Sequence, residues 1–142
     1  ALKAGGAAVG AKAVIETLPG MFPLACSPRL NDLFVENIKE YFPETKIEDA
    51  GHFTASTDMG DISHLMPSIH PFIGGVDGGL HTKDFCVTDF DAAAILPGKV
   101  FAMNIIDLLY DEAAMAKEIL EKEKPILTKE EYLAKLESYF QS

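Results

Sequence analysis

Apolar side chains return every third or fourth residue along four stretches of this chain, the period of helices that bury one face. In the first stretch Leu30, Phe34, Ile38 and Phe42 share a stripe, with Leu33 and Tyr41 alongside, and the spacing predicts a helix over 29–42. Ser27 is placed to cap it, Pro28 suits its first turn and Pro43 ends it. A second helical region starts at 88–94 behind Thr88 as cap and continues over 96–110, with Pro97 in a first turn. There Phe101, Ile105 and Leu108 combine with Ala102, Ile106 and Leu109 into a broad apolar face. A third helix is predicted over 111–124, and a fourth over 128–140 opens on a capping box, Thr128 with Glu131. A shorter helix is expected over 57–64, with Thr57 or Ser56 as cap and Asp58 in its first turn, where a carboxylate suits the helix dipole.

Strand signals are fewer. Val14, Ile15 and Thr17 favour a strand over 11–18, which Pro19-Gly20 stops. A short strand is expected over 46–50. Ile69, Phe72, Ile73 and Val76 suggest another over 67–76, where Pro71 argues for an edge or an irregular strand. Gly74, Gly75, Gly78 and Gly79 then bracket Val76-Asp77, and His81 follows. The pattern is α/β, with more helix than strand. The proline-rich stretch 19–28 is the expected boundary between two structural units.

With 142 residues, 48% of them hydrophobic, the chain is one domain or an incomplete piece of a larger one. A net charge of −10 leaves no basic patch for a phosphate backbone or an anionic membrane, so neither nucleic acid nor membrane is expected as a partner. No uninterrupted apolar run approaches a membrane span, and the small, glycine-rich start does not read as a signal peptide. The absence of an initiator methionine suggests that something precedes Ala1. Cys26 and Cys86 have neither a CxxC spacing nor a framework, and two free thiols fit a reducing, cytoplasmic setting.

The chemistry-bearing residues concentrate in 52–85. His52, His64, His70 and His81 stand there among Asp58, Asp61, Asp77 and Asp84, with Asp49 just before. Imidazole and carboxylate are the donors that Zn²⁺ and Mn²⁺ take, yet the spacing holds no HExxH and no histidine pair at i, i+4. Hydrogen-bonded histidines in half-buried segments account for the same pattern. His81 differs in its place beyond a strand end and a glycine stretch, where open α/β sheets put their sites. His70, between Ile69 and Pro71, reads as packed; His64 closes the short helix and can face the same cleft; His52 sits in a connector. Two other classes compete: a binding or assembly module without chemistry, and a small α/β domain using the glycines for an anion. Neither GxGxxG nor a Walker lysine supports the latter.

The string STDMGDISHLMPSIHPFIGG (56–75) followed by GGLHTKDF (78–85) resembles the metal-dependent amidohydrolases of the aminoacylase and carboxypeptidase G type. Within them it is most similar to the branch with p-aminobenzoyl-glutamate hydrolase, hippurate hydrolase and N-acyl-amino-acid amidohydrolases. The resemblance extends to CSPRLNDLFVENIKEYF (26–42), DFDAAAILPGKVFAMNIIDLLYDEA (89–113) and KPILTKEEYLAKL (124–136), most of the chain. It implies the C-terminal part of a zinc-peptidase-like three-layer αβα catalytic domain over 24–142. Ahead of it, 1–23 would be the last helix and strand of a ferredoxin-like lid domain and the hinge.

The resemblance further implies two divalent ions, zinc or manganese, and a glutamate base that activates a metal-bound water against the amide of an N-acyl amino acid, aminobenzoyl-glutamate or dipeptide. That base and most ligands would lie in an N-terminal part outside this chain, so no catalytic residue is carried over. His81 in GGLHT matches the last metal ligand of the family. Asp58, Asp61 and His64 would lie near the cleft, and Asp58 or Asp61 could hold the second ring nitrogen of His81. Gly79 would let backbone approach substrate, and Thr82 would add a hydroxyl. The expected partners are the small substrate, the N-terminal part of the same enzyme and a second subunit joined through the lid. Alone, the chain is expected to be inactive.

Overall fold

The computed structural model describes residues 1–49, 51 and 55–141. The chain divides into two compact units, Met21–Ile126 and a second formed by Ala1–Gly20 together with Leu127–Ser142.

The larger unit is organised by two helices. Helix α2 runs Pro28–Tyr41, and its start follows the sequence signals: the Ser27 hydroxyl accepts the Leu30 N–H at 3.1 Å, and proline occupies the first turn. Its buried residues Leu33, Phe34, Asn37 and Ile38 repeat at helical spacing. They meet α4, Leu96–Lys122, whose Val100 is fully buried between Phe34 and Ile38. Phe42, Ile69, Leu96 and Met103 close around this cluster. Burying a side chain such as Val100 contributes roughly 1.5–3 kcal/mol. One polar contact fixes the register of the two helices. The Asn37 amide donates to Asn104 Oδ1 and to Asp107 Oδ2, each at 2.8 Å.

Between these helices lie α3, Met59–Leu65, and a two-residue antiparallel pair, β1 (Val76–Asp77) and β2 (Cys86–Val87), with Val76 opposite Val87. Among the described residues this pair is the whole of the regular strand. The strand expected over 67–76 is therefore corrected to its last residue. Pro67 and Pro71 offer no amide hydrogen to a ladder, and the backbone bonds the stretch does accept, from the Ser27 N–H to the Ser68 carbonyl and from the Thr88 and Asp89 N–H groups to the Gly75 carbonyl, are isolated ones. The strand expected over 46–50 is not formed at 46–49; Ala50 lies outside the described residues.

The chain enters α4 through a π-helical turn, Asp91–Ile95. Its capping contact comes from Asp89, whose Oδ1 accepts the Ala92 N–H at 3.1 Å, and not from the expected Thr88. Within α4, Asp111, Glu112 and Ala113 hold φ of 49°, 55° and 61°, so the helix breaks where the sequence divides 96–110 from 111–124. Left-handed backbone costs a non-glycine residue about 1–2 kcal/mol. Glu112→Gly should therefore raise stability, by under about 1 kcal/mol once the larger unfolded-state entropy of glycine is subtracted. The urea midpoint of the variant checks this, and a lowered midpoint would speak against the left-handed turn.

The smaller unit contains α1, Leu2–Ala8, and α5, Lys129–Ser138. The capping box is present as expected: Thr128 N–H donates to Glu131 Oε2 at 2.8 Å, and Glu131 N–H donates to Thr128 Oγ1 at 3.2 Å. The Thr128 backbone N–H, then its side chain, hold the Glu131 carboxyl below the usual carboxylate range. The strand expected over 11–18 is not formed. Val14 and Ile15 are exposed, and among the described residues no second strand pairs with them to complete a ladder.

Candidate functional site

The sequence candidates fall on two elements. Gly79, His81 and Thr82 lie in the loop that joins β1 to β2. Asp58, Asp61 and His64 lie at or in α3.

The hairpin loop is shaped by its own backbone. Gly78 has φ +83°, and a Cβ there would stand 2.4 Å from the Asp84 carbonyl oxygen, so only glycine lets the loop close on itself. Inside it the Thr82 N–H and hydroxyl both donate to the Gly79 carbonyl, at 3.1 and 2.8 Å. The Thr82 hydroxyl is thus engaged in a local turn. His81 sits at the apex of this turn with φ 62°, the left-handed region in which a residue with a Cβ is uncommon. Its side chain is exposed, and among the described residues no hydrogen bond or ion pair reaches its ring.

Helix α3 is built differently. Asp61 Oδ1 accepts the Phe22 N–H at 2.8 Å, and the buried Ser63 hydroxyl accepts the Ala25 N–H at 3.0 Å while donating to the Gly60 carbonyl at 2.7 Å. The buried Gly60 lies against the Phe22 carbonyl, where a Cβ would stand 1.9 Å from the oxygen. Three residues of GDIS therefore anchor the incoming segment 22–25. His64 Nδ1 is 2.9 Å from the Gly60 carbonyl, which can only accept, so Nδ1 is the donor of this pair. Its ring lies 4.8 Å from that of Phe22, centroid to centroid. Asp58 is exposed at the helix start, where its carbonyl accepts the Asp61 and Ile62 N–H groups.

Ser63 was not among the sequence candidates. Its signal lay in the i, i+3 spacing from Gly60, which lets a serine hydroxyl bond back to the helix carbonyl. His70, expected to be packed, has a buried Nδ1 without a hydrogen-bond partner among the described residues, and its ring lies edge-on to that of Phe72, 5.5 Å centroid to centroid. His52 lies outside the described residues. A recess of about 180 Å³ beside Cys26, Ser27, Ser63, Met66 and Glu123 includes none of the loop candidates.

Among the described residues no three of His, Cys, Asp and Glu converge as a metal-binding group. The chain offers one unencumbered imidazole on the hairpin, which does not by itself complete a two-ion centre. Compared with known family models, curated proteins and solved structures, the chain matches none.

Proposed function

We propose that this chain is the C-terminal part of a metal-dependent amidohydrolase of the aminoacylase and carboxypeptidase G type, and that it contributes the last metal ligand, His81. On this reading 24–142 belong to a three-layer αβα catalytic domain, and 1–23 to a lid through which two subunits join. The whole enzyme works in the cytoplasm on the linear amide of N-acyl amino acids, aminobenzoyl-glutamate or dipeptides. When bound, the two divalent ions supply Lewis acidity for attack of water on the amide carbonyl. The role of this chain's own residues is to present an imidazole at a fixed point beyond a glycine-framed turn.

The supporting observation is the conformation of His81. It is a non-glycine residue in left-handed backbone at the tip of a loop closed by Gly78, and its ring is not used for local structure. Such a cost is borne where a side chain must be aimed, and the inference runs from the outlier to the role.

The test compares the purified chain with the longer protein encoded by its open reading frame. Both are assayed on N-acetyl amino acids, hippurate and p-aminobenzoyl-glutamate with Zn²⁺ or Mn²⁺, and both are analysed for bound metal. The longer protein is expected to hold two ions and to hydrolyse at least one substrate class, the isolated chain none. Turnover by the isolated chain, or a longer protein without metal and without amidase activity, would overturn the reading.

A further inference from the structure

Helix α4 is broken where its sequence favours helix. Asp111, Glu112 and Ala113 hold φ of 49°, 55° and 61° in succession, and none of them is glycine. Between Lys99 and Lys124 the chain has neither glycine nor proline. The residues across the joint, DEAAMAKEIL (111–120), are mostly good helix formers. Local preference therefore points to one continuous helix, and each left-handed residue opposes the break.

Contact with α2 holds the break in place. The first half of α4 advances along α2, with Val100 packed on Phe34 and Ile38 and Asp107 reaching Asn37. After the joint the arm 114–126 returns to the other end of the same helix. Met115 Sδ stands 3.9 Å from an Arg29 guanidinium nitrogen, and Glu123 Oε1 accepts the Arg29 N–H at 3.2 Å. Ile119 of the arm is buried. All these contacts lie within the unit Met21–Ile126. Arg29 is about 12 Å back along α2 from Asn37, whereas a continuous α4 would carry Met115 about 12 Å onward from Asp107. The two forms of α4 therefore exclude each other. Either the helix is broken and the arm is docked, or the helix is continuous and the arm has left its own Arg29.

We propose that α4 is a two-state element, and that the chain dimerises by exchanging the arm 114–126, with 96–122 continuous in each copy. The surface the arm vacates is shaped by the arm itself, so the arm of a second copy restores the Arg29 contacts while both joints relax. Exchange of an identical element is a low-cost route to a dimer, and a strained joint invites it. An arm docked on its own chain meets α2 at an effective concentration of about 1 mM, and relief of the joint lowers the concentration at which exchange wins. Residues 127–142 follow the arm, so their contacts with Ala1–Gly20 are exchanged in the same step. The proposal stands without the amidohydrolase reading. The stretch Asp91–Lys122 is also long and apolar enough, by length and composition, to cross a membrane, which amends the sequence expectation drawn from uninterrupted runs. Asn104 and Asp107, both bonded to the Asn37 amide, stand in the middle of that stretch and favour a protein cover.

Size-exclusion chromatography with light scattering at about 100 μM, below the effective concentration of a docked arm, is expected to show a dimer. Glu112→Gly with Ala113→Gly removes left-handed cost and weakens the continuous helix, so the dissociation constant should rise at least about 100-fold. Asp111→Ala acts the other way, because alanine is the better helix former and the poorer left-handed residue, and should tighten the dimer about tenfold. Circular dichroism keeps a folded variant distinct from an unfolded one. Pulsed electron paramagnetic resonance on the parent joint reads the helix directly. Spin labels enter at Lys99→Cys and Lys117→Cys, with the free cysteines removed as Cys26→Ser and Cys86→Ser. Diluted with unlabelled chain, the labelled positions should lie about 27 Å apart in the dimer, as a continuous helix requires, and closer in the monomer. A chain monomeric at this concentration, a dimer with the monomer's label distance, a dimer indifferent to both joint variants, or a monomer that floats with phosphatidylcholine vesicles would each overturn it.

Discussion

On the proposed amidohydrolase reading, replacing His81 by alanine in the longer protein is expected to abolish most amide hydrolysis, by at least about 100-fold, with loss of bound metal. The magnitude follows from the role proposed. Disturbing a group that merely orients a ligand already costs about 10–100-fold in metal affinity or activity, and removing the ligand itself removes more. The geometry makes the substitution clean. The His81 ring is exposed and joins no hydrogen bond among the described residues, so its loss leaves no orphaned partner and no cavity. Alanine also retains a Cβ, so backbone strain at φ 62° is nearly unchanged. Folding stability should therefore stay within about 0.5 kcal/mol of the parent, as for surface substitutions generally. Metal content per chain separates a ligand from a substrate-positioning residue, since only the former lowers it. His70→Ala serves as the packing control. Its ring is wedged against Phe72 with Nδ1 buried, so its loss should lower stability more than metal content. His52→Ala should change neither. Normal metal and normal turnover in folded His81→Ala would remove the ligand assignment and the functional reading with it.

Helices were legible in this sequence because their signals are local. The Ser27 cap with Pro28, and the Thr128–Glu131 capping box, each need only three or four consecutive residues, and both recur in the structure with the predicted donors and acceptors. Strands were not legible to the same degree. Val14, Ile15 and Thr17 have the side chains of a strand, but a strand exists only with a hydrogen-bonded neighbour, and that is a property of the rest of the fold. The same limit applied to the candidate residues. Composition singled out Asp61 for chemistry, while its position three residues before His64 gave no hint that its carboxylate would receive the Phe22 N–H. Conversely the breadth of the apolar pattern in 96–110 was readable, but not which part of it is covered: Val100 is buried while Ile105, Ile106 and Leu109 stand exposed.

Gly60 gives a prediction whose sign alone is decisive. In an ordinary helix interior, glycine to alanine stabilises by roughly 1 kcal/mol, because alanine is the better helix former. In α3 the opposite is expected. A Cβ on Gly60 would stand 1.9 Å from the Phe22 carbonyl oxygen and 3.0 Å from its carbon, and both are backbone atoms with no rotamer to swing away. The segment cannot simply retreat, for it is held on either side by the Phe22 N–H to Asp61 and the Ala25 N–H to Ser63. Relief of the clash must therefore break these bonds, worth about 1 kcal/mol each, on top of about 1–3 kcal/mol for overpacking. Gly60→Ala should lose about 3 kcal/mol, a large share of the 5–15 kcal/mol typical of a domain. Gly74→Ala is the control, since nothing lies within 4 Å of a Cβ there. Urea midpoints compare the two, and hydrogen exchange at the Phe22 and Ala25 amides localises the effect, with faster exchange expected only in Gly60→Ala. A Gly60→Ala chain as stable as Gly74→Ala, with both amides still protected, would mean that α3 does not hold the 22–25 segment in this way.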